Sequence, residues 1–187
     1  MPRFLSRLLA ASLCGLLLVA CTGAPPGVQA VRNFDLGRYL GTWHEIARLD
    51  HRFERGLSPG TATYRQRDDG GVDVLNRGYD PVSATWKEAL GKAYFIGQTS
   101  QASLKVSFFG PFYGGYHIFA LDPDYRWAMV SGPSLAYLWI LAREPGLDQR
   151  TLGRLVERAR QAGFATDVLI YPASYPHPLG RPADRAP

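Results

Sequence analysis

Between Gly41 and Arg143 short apolar-rich runs alternate with clusters of turn-forming residues. The runs fall at roughly 41–50, 60–68, 72–79, 85–97, 102–109, 114–121, 125–131 and 135–143. They favour β-branched and aromatic side chains, which suit a half-buried pleated surface. Between them lie Ser58-Pro59-Gly60, Asp68-Asp69-Gly70-Gly71, Asp80-Pro81, Gly97 to Ser100, Gly110-Pro111, Asp122-Pro123-Asp124 and Gly132-Pro133. Glycine, proline and aspartate each stabilise a reversal of the chain by their own backbone chemistry. Links this short join antiparallel neighbours as hairpins. Eight runs at this spacing predict an all-β domain, a sandwich or an up-and-down barrel. Eight strands closed on themselves leave room inside for one small ligand.

The period then changes. Leu152, Leu155, Val156 and Ala159 form one apolar stripe at helical spacing. Asp148 stands where an N-cap belongs, Leu147 and Leu152 are placed as a hydrophobic staple, and Gly163 is the C-cap candidate. A single amphipathic helix after the strands is expected to pack on the outside of the sheet. Thr166 to Tyr171 reads as a short ninth strand, and the proline-rich tail from Pro172 as irregular.

Gly41-Thr42-Trp43 opens the first run. Gly41 lets the backbone bend or approach another segment closely, and the Trp43 ring can bury about 200 Å². Strict alternation puts Trp43, Glu45, Ala47 and Leu49 on one face, and Thr42, His44, Ile46 and Arg48 on the other. Both faces mix apolar and polar groups, as in a wall between a core and an interior.

Both cysteines, Cys14 and Cys21, lie near the start, so the remainder can form neither a disulfide nor a cysteine metal site. Residues 1–21 read as a leader: Arg3 and Arg7 precede the apolar run Leu8 to Leu17, too short to span a bilayer as a helix. The run ends in Leu18-Val19-Ala20-Cys21, which resembles the bacterial lipobox. That resemblance implies that Cys21 is lipidated and becomes the first mature residue. Thr22, where an aspartate would mark retention, fits the outer-membrane sorting pattern. Residues 22–32 read as a flexible Pro/Gly-rich linker holding a domain, 33–172, off a membrane, and 173–187 as a tail. Loss of Arg3 and Arg7 takes the formal charge from +5 to +3. With the basic residues scattered, nothing points to nucleic acid.

Three separated segments resemble one family, the lipocalins. They are Gly41-Thr42-Trp43, the turn Asp122-Pro123-Asp124-Tyr125, and Arg143 at the end of Tyr137-Leu138-Trp139-Ile140-Leu141-Ala142. The turn has proline where the family usually has threonine. Trp43 to Leu57 and Lys105 to Tyr116 look like the bacterial outer-membrane lipocalins, which also begin with a lipobox. The resemblance, over about 33–172, implies an eight-stranded antiparallel up-and-down β-barrel with one C-terminal α-helix outside. It implies Gly41, Trp43, Asp124, Tyr125 and Arg143 as structural motif residues, with Arg143 stacked on Trp43 at the closed end. A guanidinium over an indole contributes roughly 0.5–2 kcal/mol, and its other donors need acceptors on the barrel floor.

With Arg143 inward, alternation sends Leu141, Trp139 and Tyr137 inward and Ala136, Leu138 and Ile140 outward. Tyr116, Ile118 and Ala120 are expected inside by family alignment, as are Leu104, Val106 and Phe108, with Lys105 and Ser107 in water. The expected ligand lining is therefore Leu104, Val106, Phe108, Tyr116, Ile118, Tyr137 and Trp139. Aromatic and aliphatic groups with Glu45, Tyr116 and Tyr137 among them suit an amphiphile with a long chain and a polar head.

Gly56-Leu57-Ser58-Pro59-Gly60 fits G-x-S-x-G in letters, but a nucleophile elbow needs a helix after it, and Thr61 to Tyr64 reads as strand. His44, His51, His117 and His177 show no metal spacing and are expected at the surface or hydrogen-bonded in structural roles. No catalytic residue, metal or cofactor is expected. The resemblance implies a binding protein tethered through Cys21 to the outer membrane and facing the periplasm. Its expected cargo is fatty acids or lysophospholipids, with a porphyrin or other ring-shaped ligand as the alternative. A homodimer is left open.

Overall fold

In a computed structural model describing residues 22–172, eight strands close into one antiparallel barrel. They are β1 (Gly41–Arg48), β2 (Gly60–Gln66), β3 (Val72–Asp80), β4 (Thr85–Phe95), β5 (Ser103–Phe109), β6 (Phe112–Leu121), β7 (Trp127–Ser131) and β8 (Leu138–Ala142). Each strand pairs with its chain neighbour, and β8 closes on β1 through His44↔Ala142 and Arg48↔Trp139. Of the sandwich and the up-and-down barrel that the eight short runs allow, the barrel implied by the resemblance is the fold.

A four-residue helix, α1 (Leu36–Tyr39), precedes β1. Asp35 caps it, accepting from the Arg38 amide at 3.4 Å. Helix α2 (Gln149–Gln161) starts as read, with the Asp148 carboxylate accepting from the Thr151 amide at 2.9 Å. Gly163 follows its last turn at φ +94°, a left-handed conformation that costs glycine little. The expected ninth strand is not formed. Thr166–Val168 is a single 3₁₀ turn, and only an isolated bridge joins Ile170 to Arg48.

Apolar side chains gather on both sides of the barrel wall. Outside, Leu152, Leu155 and Ala159 of α2 pack on Ile46, Leu138, Ile140 and Met129, and Phe164 stacks on Phe119 at 5.6 Å. Inside, Trp43, Tyr64, Val72, Val74, Leu104, Ile118, Val130 and Leu141 form a second cluster.

The ladder shifts register at three places, one of them between Val106 and Phe109 in the β5–β6 pair, and the other two set which residues belong to which side. The β1–β8 register shifts between Glu45 and Ala47, and the β6–β7 register between Ile118 and Ala120. Each puts two successive residues on one face and inverts the alternation beyond it. Ala120 therefore joins Phe119 against the helix rather than lining the interior, correcting the expectation for that position. In β1 Ile46 and Ala47 both face α2, Leu49 follows them outward, and Arg48 turns into the barrel.

Residues 22–32, read as a spacer, lie against the barrel. Val28 is buried beside α2, the Val31 amide donates to the Ile118 carbonyl at 2.8 Å, and the Ala102 amide donates to the Val31 carbonyl at 3.0 Å.

Candidate functional site

The closed end is built around Trp43, which has no exposed surface. Its indole Nε1 donates to the Tyr39 carbonyl at 2.8 Å, which fixes α1 under the barrel. The Arg143 guanidinium carbon stands 4.0 Å over the Trp43 ring centre. Its Nη1 donates to the Thr42 carbonyl at 3.1 Å and its Nη2 to the Arg38 carbonyl at 2.7 Å. The guanidinium is half-buried rather than enclosed, and that burial lowers its pKa. Gly41, at φ +94°, passes so close that a Cβ there would meet Arg143 Nη1 at 3.3 Å. Tyr125 closes the same floor: its hydroxyl accepts from the Asp35 amide at 2.9 Å, and its ring lies 4.2 Å beneath the Arg38 guanidinium.

Of the two aspartates in the turn before β7, Asp122 organises it. Its carboxylate accepts from the Asp124 amide at 3.0 Å and the Arg126 side chain at 2.9 Å. Those hydrogen bonds, the Arg126 one first, hold its pKa below the ordinary carboxylate value. Asp124, the residue singled out from the motif, keeps its own carboxylate in solvent, 3.7 Å from Arg126.

Above this floor three phenols meet. The Tyr116 hydroxyl lies 2.7 Å from that of Tyr39 and 2.6 Å from that of Tyr64. Burial raises all three pKa values, Tyr64 to about 12, so the trio is neutral and satisfies itself. Leu104, Val106, Phe108, Tyr116, Ile118 and Trp139, from three different strands, belong to this one interior cluster. Leu104 and Ile118 are buried in the closed half, whereas Val106, Phe108, Tyr116 and Trp139 are only partly covered. Toward the mouth the wall opens. Lys87 and Ala89 pair with Gly78 and Asn76, on the same parity as inward-facing Val74, yet both are exposed. Solvent therefore reaches the upper interior.

Tyr137, the seventh residue of the expected lining, sits in the mouth. Its ring stacks with those of His51, Phe53 and Trp139 at 5.8, 6.4 and 6.3 Å. The segment between β1 and β2 folds over this end, tied by the Arg55–Asp50 ion pair at 2.6 Å. A depression of about 440 Å³ lies between it and the β7–β8 link, lined by His51, Phe53, Ala136 and Tyr137 among others.

Beneath that aromatic group is a charged cluster that sequence reasoning missed. Arg48, only 2% exposed, places Nε 3.1 Å from Glu45 Oε1 and 3.9 Å from Glu54 Oε2. Its Nη2 donates to the carbonyls of Glu54 and Leu57 at 3.1 and 3.2 Å. Trp139 Nε1 donates to Glu54 Oε2 at 3.1 Å, and His51 Nε2 stands 3.4 Å from the same oxygen without hydrogen-bond alignment. Burial, then the charge of Glu54, pushes Glu45 up to about 8 against the pull of Arg48. Burial also raises Glu54. Burial and the Arg48 charge push His51 down to about 4. Arg48 Nε and both ring nitrogens of His51 have no aligned partner among the described residues. The signal that could have revealed the cluster was the opposite charges of Glu45 and Arg48 within one strand, but strict alternation separated them.

Other candidates fall away or lie beyond view. Among the described residues no group of His, Cys, Asp and Glu could hold a metal. Ser58, the nucleophile of the nominal G-x-S-x-G, precedes a strand and has its hydroxyl buried without a partner. Cys21 and His177 lie outside the described residues.

A family described as Lipocalin-like domain matches residues 34–174. The chain is 53% identical over 160 residues to outer membrane lipoprotein Blc of Vibrio cholerae, covering 85% of this chain and 94% of that one. It is 52% identical over 166 residues to outer membrane lipoprotein Blc of Escherichia coli K12, with 88% and 94% covered. Apolipoprotein D of Mus musculus is 30% identical over 138 residues, with 70% and 71% covered. Among solved structures, insecticyanin from the tobacco hornworm Manduca sexta superposes with a TM-score of 0.63 at 20% identity, over 81% of this chain and 86% of its own. That last likeness is one of fold alone.

Proposed function

Because the chain belongs to the lipocalin family, and so binds hydrophobic ligands rather than catalysing a reaction, we propose that it binds, stores or carries fatty acids or lysophospholipids in the cell envelope. The observation that carries this reading is a gradient along the barrel axis. Fully buried apolar groups at the floor give way to partly covered Val106, Phe108 and Trp139, and then to the buried polar cluster of Arg48, Glu45 and Glu54. An acyl chain laid along the axis would place its head at that cluster. There Arg48 and His51 retain hydrogen-bonding capacity for a carboxylate or phosphate.

The cellular setting is proposed on two grounds. The close relatives are named outer membrane lipoproteins, and Leu18-Val19-Ala20-Cys21 has the form of a lipobox. Cys21 would carry the anchor, with the barrel on the periplasmic side.

Native mass spectrometry of the protein purified from its own membrane tests the cargo. Co-purified fatty acid or lysophospholipid is expected at one per barrel. A barrel that carries no lipid and instead takes up haem, read by its absorbance, would replace this reading with that of a carrier for ring-shaped ligands.

A further inference from the structure

The two ends of the barrel expose different chemistry. Links at the closed end carry Asp68 and Asp69, then Gln98 to Ser100, then Asp122 to Arg126. Links at the open end carry large apolar side chains turned to solvent: Val82 is 95% exposed, Phe109 80%, Phe112 77% and Phe53 57%. Scattered exposed apolar residues are ordinary, but several on the loop tips of one end mark an interaction surface. The turns do not require them. The Asp80 carboxylate shapes the β3–β4 link by accepting from the Val82 amide at 3.0 Å, whatever side chain stands there. Phe109 and Phe112 pair across the Gly110-Pro111 tip through backbone alone.

The N-terminal segment leaves from this half of the barrel. Val31 is bound beside Ala102 and Ile118, in the closed half. By Thr22 the chain has reached Gly115, whose Cβ position would lie 2.9 Å from the Thr22 carbonyl oxygen. His117 anchors the segment: its ring is buried, its Nδ1 is 2.9 Å from Ser103 Oγ, and the backbone of Gly23 and Thr22 lies against it. Gly115 is three positions from Phe112, about 10 Å along a strand. Cys21 is the next residue in the chain before Thr22.

We propose that the open rim docks on the bilayer that holds the tether, with Phe53, Val82, Phe109 and Phe112 entering the interface. A short anchor beside the rim keeps these side chains near the lipid surface and favours it over any freely diffusing partner, by raising effective concentration. Aromatic and aliphatic groups settle where headgroups meet acyl chains. Four side chains entering an interface make a shallow, reversible contact. The mouth then opens onto the bilayer, and a lipid passes between membrane and barrel without crossing water. This inference rests on Cys21 as the anchor but not on the identity of the ligand.

Cys14 and Cys21 are the only cysteines. The first leaves with the signal and the second is consumed by lipid, so one introduced cysteine is a unique labelling site. The test uses the full lipoprotein reconstituted in vesicles of phosphatidylethanolamine and phosphatidylglycerol. Phe112→Cys, Val82→Cys and, at the closed end, Asp68→Cys each carry an environment-sensitive fluorophore. The two rim labels should shift to the blue and be quenched several-fold by spin labels on the acyl chains, with Asp68→Cys unchanged. Water-like emission at all three sites, or an equal shift at all three, overturns the proposal. So does a rim shift that depends on protein concentration in detergent and ignores the lipid quencher, which would assign the rim to a second copy. Intact mass reports the lipid on Cys21 separately, so a failed anchor and a failed docking surface are read apart.

Discussion

Arg48 Nε lies 3.1 Å from Glu45 Oε1 inside the mouth of the barrel, although three positions on a regular strand would send the two side chains to opposite faces. The bulge between Glu45 and Ala47 makes the pair. It also turns Ile46 and Ala47 together toward α2, so one irregularity serves the outer packing and the inner charge cluster at once. A buried pair of this kind is weak evidence for stability, because desolvation offsets much of the attraction between its charged forms.

Stability should depend on pH through this cluster, in opposite senses for two of its members. Glu45 is raised from 4.5 to about 8, so its contribution is complete below 4.5 and is lost as pH rises through about 8. His51 is lowered from 6.5 to about 4, so its contribution is complete above 6.5 and is lost as pH falls through about 4. Denaturant unfolding of Glu45→Gln and the parent across this range should show the variant gaining on the parent as pH rises. His51→Phe should gain on the parent as pH falls. Parallel profiles for parent and variants would mean that these groups titrate normally.

At the closed end, Trp43→Ala should cost about 3–5 kcal/mol, the range for emptying a fully buried large ring. Arg143→Ala should cost less, since its side chain is half-buried and two of its hydrogen bonds go to exposed backbone. The stacked geometry predicts a coupling energy of about 0.5–2 kcal/mol between the two sites. A double-mutant cycle measured by urea unfolding reads it directly, and a value near zero would mean that the stacking contributes nothing.

The sequence made the barrel legible because the strand period and the turn chemistry agree along most of the chain. Eight apolar runs, with Gly and Pro or Asp between them, point to antiparallel hairpins, and the resemblance chose the closed barrel over a sandwich. The floor was legible for another reason: Trp43 and Arg143 sit at the two ends of that pattern, and resemblance supplied their pairing. At the bulges in β1 and β6, side-chain direction was lost. Ala120 and Arg48 were misdirected because a bulge adds one residue without leaving a mark in the alternation. The 3₁₀ turn at Thr166–Val168 was read as a strand because a short run with Val168, Leu169 and Ile170 fits both. The packing of residues 22–32 depends on partners such as His117 and Ala162, far away in the chain.

Cys21→Ala should move the protein from the membrane fraction to the soluble one. Two or more acyl chains hold a protein stably, whereas a few apolar side chains at an interface amount to marginal, reversible binding. Cell fractionation followed by a high-salt wash checks this, because salt removes charge-mediated adsorption but not an acyl anchor. Retention of the variant after the wash would assign the attachment to something other than Cys21.

Affinity for saturated fatty acids should rise with chain length and then level off. Each methylene taken from water contributes about 0.8 kcal/mol, but only while it finds apolar wall. That wall ends at a floor closed by Trp43, Tyr39 and the hydrogen-bonded phenols of Tyr64 and Tyr116. A chain entering from the mouth would pass Trp139, Phe108 and Val106 before Ile118 and Leu104. Trp139 also donates to Glu54, so a head group that disturbs that bond should change its fluorescence. Val106 pairs with Ala93 and Gly114, small neighbours that leave the wall thin at this level. Val106→Trp should therefore fill the passage at mid-depth and abolish binding of long chains, while circular dichroism keeps the β signature of the parent. Short chains, needing less depth, should lose less. Titration of the mature protein and the variant with acids of increasing length, followed by tryptophan emission, checks each step. Affinity independent of length, or a Val106→Trp protein that binds like the parent, would place the ligand outside the barrel.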